Sequence, residues 1–126
     1  MKIMIDSNVI VSAAYNASSV PAQALSLAGK NHRLVLCDYI LMECRKVITN
    51  KFPHLIAGFE KILTTYDYEI APAPTDGISM RDPKDIPILN AAINANVDII
   101  ISGDKDFLAL EIERPKVLSP AQFLVY

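Results

Sequence analysis

Cysteine is scarce in this chain: Cys37 and Cys44 are the only two, and neither stands at ligand spacing from another Cys or a His. A zinc finger and a disulfide framework are excluded on that count, and two unpaired thiols suit a reducing compartment, with the cytoplasm as the expectation. Histidine is as rare, and His32 and His54 lack partners at ligand spacing, so both read as surface or partly buried structural residues. A cationic excess is missing too. Twelve Lys and Arg against fourteen Asp and Glu leave a net charge of −2, which argues against gripping nucleic acid through one broad basic face. No apolar run approaches the ~18 residues that cross a bilayer, and Asp6 arrives before a signal-peptide core develops. Neither export nor a membrane is expected. Internal repeats, low-complexity tracts and linkers are also lacking.

What is present is an apolar-rich chain of 126 residues, 52% hydrophobic and 21% charged. That composition predicts one soluble domain over residues 1–126, burying roughly 65–70% of its unfolded surface without help from disulfides or a structural metal. Ile3 to Ile5 reads as a strand, with Asp6-Ser7-Asn8 as the turn that ends it. Ser19 and Pro21 start a helix that Gly29 stops. Leu34 to Leu36 is a second strand, and Asp38 caps a helix running to about Thr49. Leu55, Ile56, Phe59, Ile62, Leu63 and Tyr66 repeat at helical spacing. Glu69 and Ile70 belong to a brief strand, and Pro72, Pro74, Asp76 and Gly77 mark a loop. Beyond it, Ile88, Leu89, Ala92 and Ile93 share one face of a helix whose first turn holds Asp85 and Pro87. Asp98 to Ile101 is unalternating and apolar, as in a strand covered on both faces. Val117-Leu118 is a last strand, and Ser119, Pro120 and Gln122 supply a capping box for a final helix. Strands separated by helices predict an α/β, three-layer fold with a mostly parallel central sheet and helices on both faces. In such a sheet the site lies beyond the carboxyl ends of the strands, where strand order reverses.

Two strand ends carry an acid: Asp6 follows the first strand, and Asp104 follows the strand ending at Ile101. If those strands are parallel neighbours, both carboxylates emerge on one edge. Glu43 lies at the margin of the stripe Ile40, Leu41, Cys44, Val47, Ile48 and can face a cleft. Asp85 sits at a helix start, where free N–H groups favour an anion, and Asp106 is the fifth acid. Like charges at ~4 Å repel by about 1 kcal/mol in water and several times that in a cleft, so gathering them calls for a cation. Oxygen donors without His or Cys suit Mg²⁺ or Mn²⁺. Such an ion activates water and stabilises charge on a phosphodiester, which is hydrolytic nuclease chemistry.

Each acid taken singly also reads as a cap or turn residue. Asp38, Asp82 and Asp98 are assigned to caps and turns, and Glu60, Glu69, Glu111 and Glu113 to solvated surface. Arg45, Lys46 and Lys51 form a loose basic group that reads either as a solvated helix face or as contacts to RNA phosphates.

In this order the motifs resemble the PIN-domain ribonucleases, a family that includes the VapC-like toxin components of toxin–antitoxin pairs. Met4-Ile5-Asp6-Ser7-Asn8-Val9-Ile10-Val11-Ser12 is similar to the family's opening strand, first acid and companion Asn. Cys37-Asp38-Tyr39-Ile40-Leu41-Met42-Glu43 resembles the segment presenting the second acid, with Cys37 where Ser is common. Arg81-Asp82-Pro83-Lys84-Asp85 and Ser102-Gly103-Asp104-Lys105-Asp106 resemble the third and fourth. The resemblance covers nearly the whole chain. It implies strand order 3-2-1-4-5, Mg²⁺ or Mn²⁺ held by Asp6, Glu43, Asp85 and Asp104 as the catalytic acids, and support from Asn8, Ser102 and Asp106. It further implies RNA as substrate, an antitoxin protein as partner and a homodimer that gathers positive surface. Two alternatives stay open: a non-catalytic partner-binding module of the same fold, and a haloacid-dehalogenase-like phosphatase with Asp6 as nucleophile. The phosphatase motif is faulty, because Asn8 stands where that chemistry needs an acid/base.

Overall fold

In the computed structural model the described residues are 1–73, 85–110 and 112–126, and Asp85 is described only by its place in a helix. Strands β1 (Lys2–Ile5), β2 (Arg33–Cys37), β3 (Tyr68–Ala71), β4 (Ile99–Ile101) and β5 (Lys116–Leu118) form one sheet in the order β3-β2-β1-β4-β5. Every ladder is parallel. Ile3, Met4 and Ile5 are all fully buried. Because successive strand residues point to opposite faces, that run means helices cover both sides of the sheet. The helices are α1 (Ser7–Tyr15), α2 (Val20–Asn31), α3 (Asp38–Lys51), α4 (Ile56–Thr65), α5 (Asp85–Asn94), α6 (Lys105–Leu108) and α7 (Pro120–Leu124). Among the described residues no helix is long and apolar enough to cross a membrane.

The expected turn at Asp6-Ser7-Asn8 is instead the start of α1. Asp6 is its N-cap, accepting from Ser7 N–H, and Val9, Ile10 and Ala13 form the buried stripe. The β-branched run Val9-Ile10-Val11 lowers helix propensity and hides that stripe, but packing against α2, α3 and α4 outweighs it. Gly29 does not stop α2, which continues to Asn31. It is there for close approach: an added Cβ would lie 2.5 Å from Tyr66 Cδ1 and 2.9 Å from Cγ. Gly→Ala in a helix ordinarily stabilises by about 1 kcal/mol. Gly29→Ala is expected to do the reverse, lowering stability by about 1–3 kcal/mol through overpacking, read as a fall in the urea midpoint.

Asp38 is the first residue of α3 rather than its cap. Cys37 holds the cap position without a side-chain capping bond, its thiol donating instead to Asp38 Oδ1, which also accepts from Tyr39 N–H and, across the sheet end, from Ala73 N–H at 2.8 Å. The buried face of α5 is Ile88, Ala91 and Ala92; Ile93 is half exposed. Two adjacent alanines let that helix close on β2 and β3, which turns the expected stripe by a position. Glu69 is not free surface: its carboxylate pairs with Lys2 at 3.3 Å and Arg33 at 3.4 Å, tying the starts of β1 and β2 to β3. The Ser119–Gln122 capping box forms as expected. The loop residues Pro74, Asp76 and Gly77, the motif Arg81 to Lys84 with Asp82, and Glu111 fall outside the described residues.

Candidate active site

The register of β1 and β4 builds the site. Ile5 aligns with Ile101, so the residues that follow them, Asp6 and Ser102, leave the sheet side by side at its carboxyl edge. Asp6 N–H donates to Ile101 C=O at 2.9 Å. Asp6 is 5% exposed and Ser102 is fully buried. The Ser102 hydroxyl donates to Asp6 Oδ2 at 2.8 Å, and Asn8 Nδ2 donates to the same oxygen at 3.1 Å. Oδ1 accepts from Ser7 N–H at 2.8 Å. Asn8 Oδ1 in turn accepts from Gly103 N–H at 2.8 Å, and Ser102 Oγ accepts from Asp104 N–H at 3.1 Å. The amide of Asn8 therefore locks the β4 exit loop to the start of α1. A Cβ at Gly103 would lie 3.1 Å from Asn8 Oδ1, so a larger residue there would push on that amide by a few tenths of an ångström.

Glu43 reaches the same place from α3. Ser7 Oγ donates to Glu43 Oε1 at 2.7 Å, so one residue binds Asp6 through its N–H and Glu43 through its hydroxyl. Ser7 is the site residue that sequence reasoning passed over. Its signal was its position immediately after the first acid, which becomes informative once α1 is known to begin there. Asp104 is exposed at the rim and caps α6 by accepting from Asp106 N–H at 2.9 Å, with Asp106 exposed beside it. The side chain of Asp85 lies outside the described residues; its helix packs on α3, the helix that carries Glu43.

Electrostatics link three of these acids. Burial pushes the Asp6 carboxyl above the ordinary 3.8, the hydrogen bonds from Ser102 and Ser7 pull it back, and the charges of Glu43 and Asp104 raise it further. Among the described residues no Lys or Arg makes an ion pair with Asp6. A buried carboxylate facing two others, with oxygen donors only, fits a hard divalent cation. Among the described residues no group of three His, Cys, Asp or Glu is placed to hold a metal ion. The two thiols take no part. Cys44, whose Sγ–H points at Ser7 C=O, is pushed up to about 12 by burial and by Glu43 and Asp6, and burial also raises Cys37. Both stay protonated and serve as packing.

The basic group divides. Arg45 pairs with Glu60 and lies 5.2 Å over the Phe59 ring, turned toward α4. Lys46 and Lys51 line a cleft of about 330 Å³ together with Glu43, Tyr39 and Asn50. His32 and His54 lie away from the acids, each edge-on to a phenylalanine ring.

Compared with known proteins, the chain matches the family model described as PIN domain over residues 2–106. No curated protein matches. Among solved structures it is similar to VapBC2 from Rickettsia felis bound to a DNA fragment from the promoter, with TM-score 0.69 and 16% identity over 94% of this chain and 98% of that one. It is also similar to PAE2754 from Pyrobaculum aerophilum, with TM-score 0.56 and 11% identity over 99% of this chain and 88% of that one. Likeness at such identities speaks to the fold.

Proposed function

The chain belongs to the PIN-domain family, and from that premise we propose that it is a Mg²⁺- or Mn²⁺-dependent endoribonuclease, the toxin of a toxin–antitoxin pair. The observation that carries this reading is Asp6: a carboxylate held almost out of solvent with Glu43 and Asp104 raising its proton affinity and, among the described residues, no Lys or Arg paired to it. Asp6, Glu43 and Asp104, with Asp85 from α5, would hold the ion. When bound, it supplies an activated water and offsets charge developing on the phosphodiester.

The chain's own residues prepare for that. Ser102, Asn8 and Ser7 favour the ionised form of Asp6 and fix its direction, since all three donate hydrogen bonds to it. Ser7 holds Glu43, and Asp106 sits at the mouth beside Asp104. The cluster repels RNA by charge. Lys46 and Lys51, on the Glu43 side, draw the phosphate backbone across it, whereas Arg45 is engaged by Glu60. A homodimer, which would set the lysines of two copies beside each other, is part of the same reading. An antitoxin would close the acidic cleft with a basic side chain. The phosphatase alternative falls with the family assignment.

The test is incubation of single-stranded and hairpin RNA with Mg²⁺, Mn²⁺ or EDTA. Cleavage with either metal and none with EDTA is expected. No cleavage of any substrate with any metal, while a partner still binds Asp6→Asn, would favour the non-catalytic module.

Ser7 provides a separate check through metal binding. Ser7→Ala leaves Glu43 without its 2.7 Å donor, and loss of such an orienting bond weakens metal affinity by about 10–100-fold. Ser7→Thr keeps the hydroxyl and is expected to restore most of it. Titration of Mn²⁺ followed by electron paramagnetic resonance reads both variants without any substrate.

A further inference from the structure

A second cleft, of about 600 Å³, opens on the Asp104 side of the acids and shares Asn8, Gly103 and Asp104 with them. Its walls are Val9, Pro21, Pro120 and Ala121, with the hydroxyls of Ser12 and Ser119 among them. The volume falls within the ~300–1,000 Å³ of small-molecule sites. We propose that this cleft is a subsite for one nucleobase of the RNA, next to the phosphodiester that is cut. The inference deepens the nuclease reading and rests on it for the identity of the ligand.

Charge selects the occupant. The cleft beside Glu43 carries Lys46 and Lys51, whereas among the described residues no Lys, Arg or His lines this one and Asp104, an acid at the rim, is its one ionisable group. A phosphate is repelled here and an uncharged, partly apolar ring is accepted. A strand crossing the acids with its backbone toward the lysines brings the adjoining base over the prolines. The polar equipment suits a base edge: Ser12 is exposed, and the Ser119 hydroxyl accepts from Gln122 N–H while keeping its own proton to donate. The walls are also preorganised. The capping box fixes the start of α7, α7 packs on α2, and the Asn8–Gly103 bond anchors the floor. Among the described residues no aromatic ring lines the cleft, so they offer no stacking of the kind that strengthens single-strand binding. A lone nucleoside is therefore expected to bind weakly, with Kd of about 1 mM.

The experiment is a titration of the labelled full chain with uridine and with adenosine, uncharged probes that leave phosphate contacts out, followed by amide NMR shifts. Saturating shifts at Val9, Ser12, Gly103 and Ala121 for at least one nucleoside are expected. Ala121→Phe and Ser12→Phe, both at exposed positions, fill the cleft and are expected to weaken binding at least about tenfold, a loss of ~1.4 kcal/mol. No shift at those amides with either nucleoside, or shifts that persist in both filled variants, would overturn the subsite. Binding of a nucleoside by a chain that cleaves no RNA would instead sink the nuclease reading and leave the subsite standing.

Discussion

Asp6→Asn is expected to lower metal-dependent RNA cleavage by about 10²–10³-fold or more, the scale lost when one preorganised stabiliser of transition-state charge is removed. The fold is expected to survive, because Asn is as good an N-cap as Asp for α1. The same variant carries a second signature in the absence of metal. The Asp6 carboxyl is raised above its ordinary 3.8, chiefly by burial and then by Glu43 and Asp104, against the pull of Ser102 and Ser7. Below that ordinary value both folded and unfolded chains keep the proton, and the stabilising contribution is fully present. As pH climbs through the raised folded value, the folded chain must give up a proton that the unfolded chain has already released, and the contribution is lost. Asn cannot ionise. The melting temperature of Asp6→Asn minus that of the parent is therefore expected to rise between acid and neutral pH. The offset at any one pH is less telling, since the new amide faces a donor at Ser7 N–H or at Asn8 Nδ2 and forfeits a hydrogen bond of about 1 kcal/mol. A difference that stays flat with pH, or falls, would show that Asp6 is not the strained carboxyl described here.

That strain was half legible in the chain. Asp6 and Asp104 each follow a run that reads as a strand, and parallel neighbours present such ends on one edge; the Ile5–Ile101 register does so. Glu43 was found from the margin of the stripe containing Ile40, Cys44 and Ile48, all of which are buried. What could not be read locally depended on partners far along the chain. Ser7 matters only because α3 brings Glu43 to its hydroxyl from 36 residues away, and Asp38 bonds Ala73 across 35. Glu69 looked like surface until β-pairing put Lys2 and Arg33 beside it. Gly29 carried the ordinary stop signal, and the Tyr66 ring against it is invisible to spacing rules. Arg45 shows the same limit: its charge was plain, and its engagement by Glu60 and Phe59 was not.

Divalent cations are expected to reverse the cost of that gathering. An ion that binds only the folded chain adds RT ln(1 + [L]/Kd), about 2.7 kcal/mol at a hundredfold excess over Kd, which for a domain of this size is a rise of several degrees in melting temperature. Mn²⁺ or Mg²⁺ at neutral pH is expected to produce that rise in the parent chain. EDTA abolishes it, and sodium chloride of equal ionic strength does not reproduce it. Asp6→Asn and Asp104→Asn are expected to lose the rise, since each removes a charge that the ion offsets. Asp85→Asn then decides the fourth position: loss of the rise there assigns the acid of α5 to the ion, and an undiminished rise restricts the ion to Asp6, Glu43 and Asp104. Binding also has a consequence for proton linkage. A bound cation holds Asp6 ionised and draws its carboxyl back down, because ligands must be deprotonated to bind. The pH-dependent gap between Asp6→Asn and the parent is therefore expected to shrink and then change sign as Mn²⁺ is added. Screening by salt narrows such a gap but does not invert it, so an inversion would separate a cation seated on Asp6 from a diffuse ion atmosphere around an acidic edge.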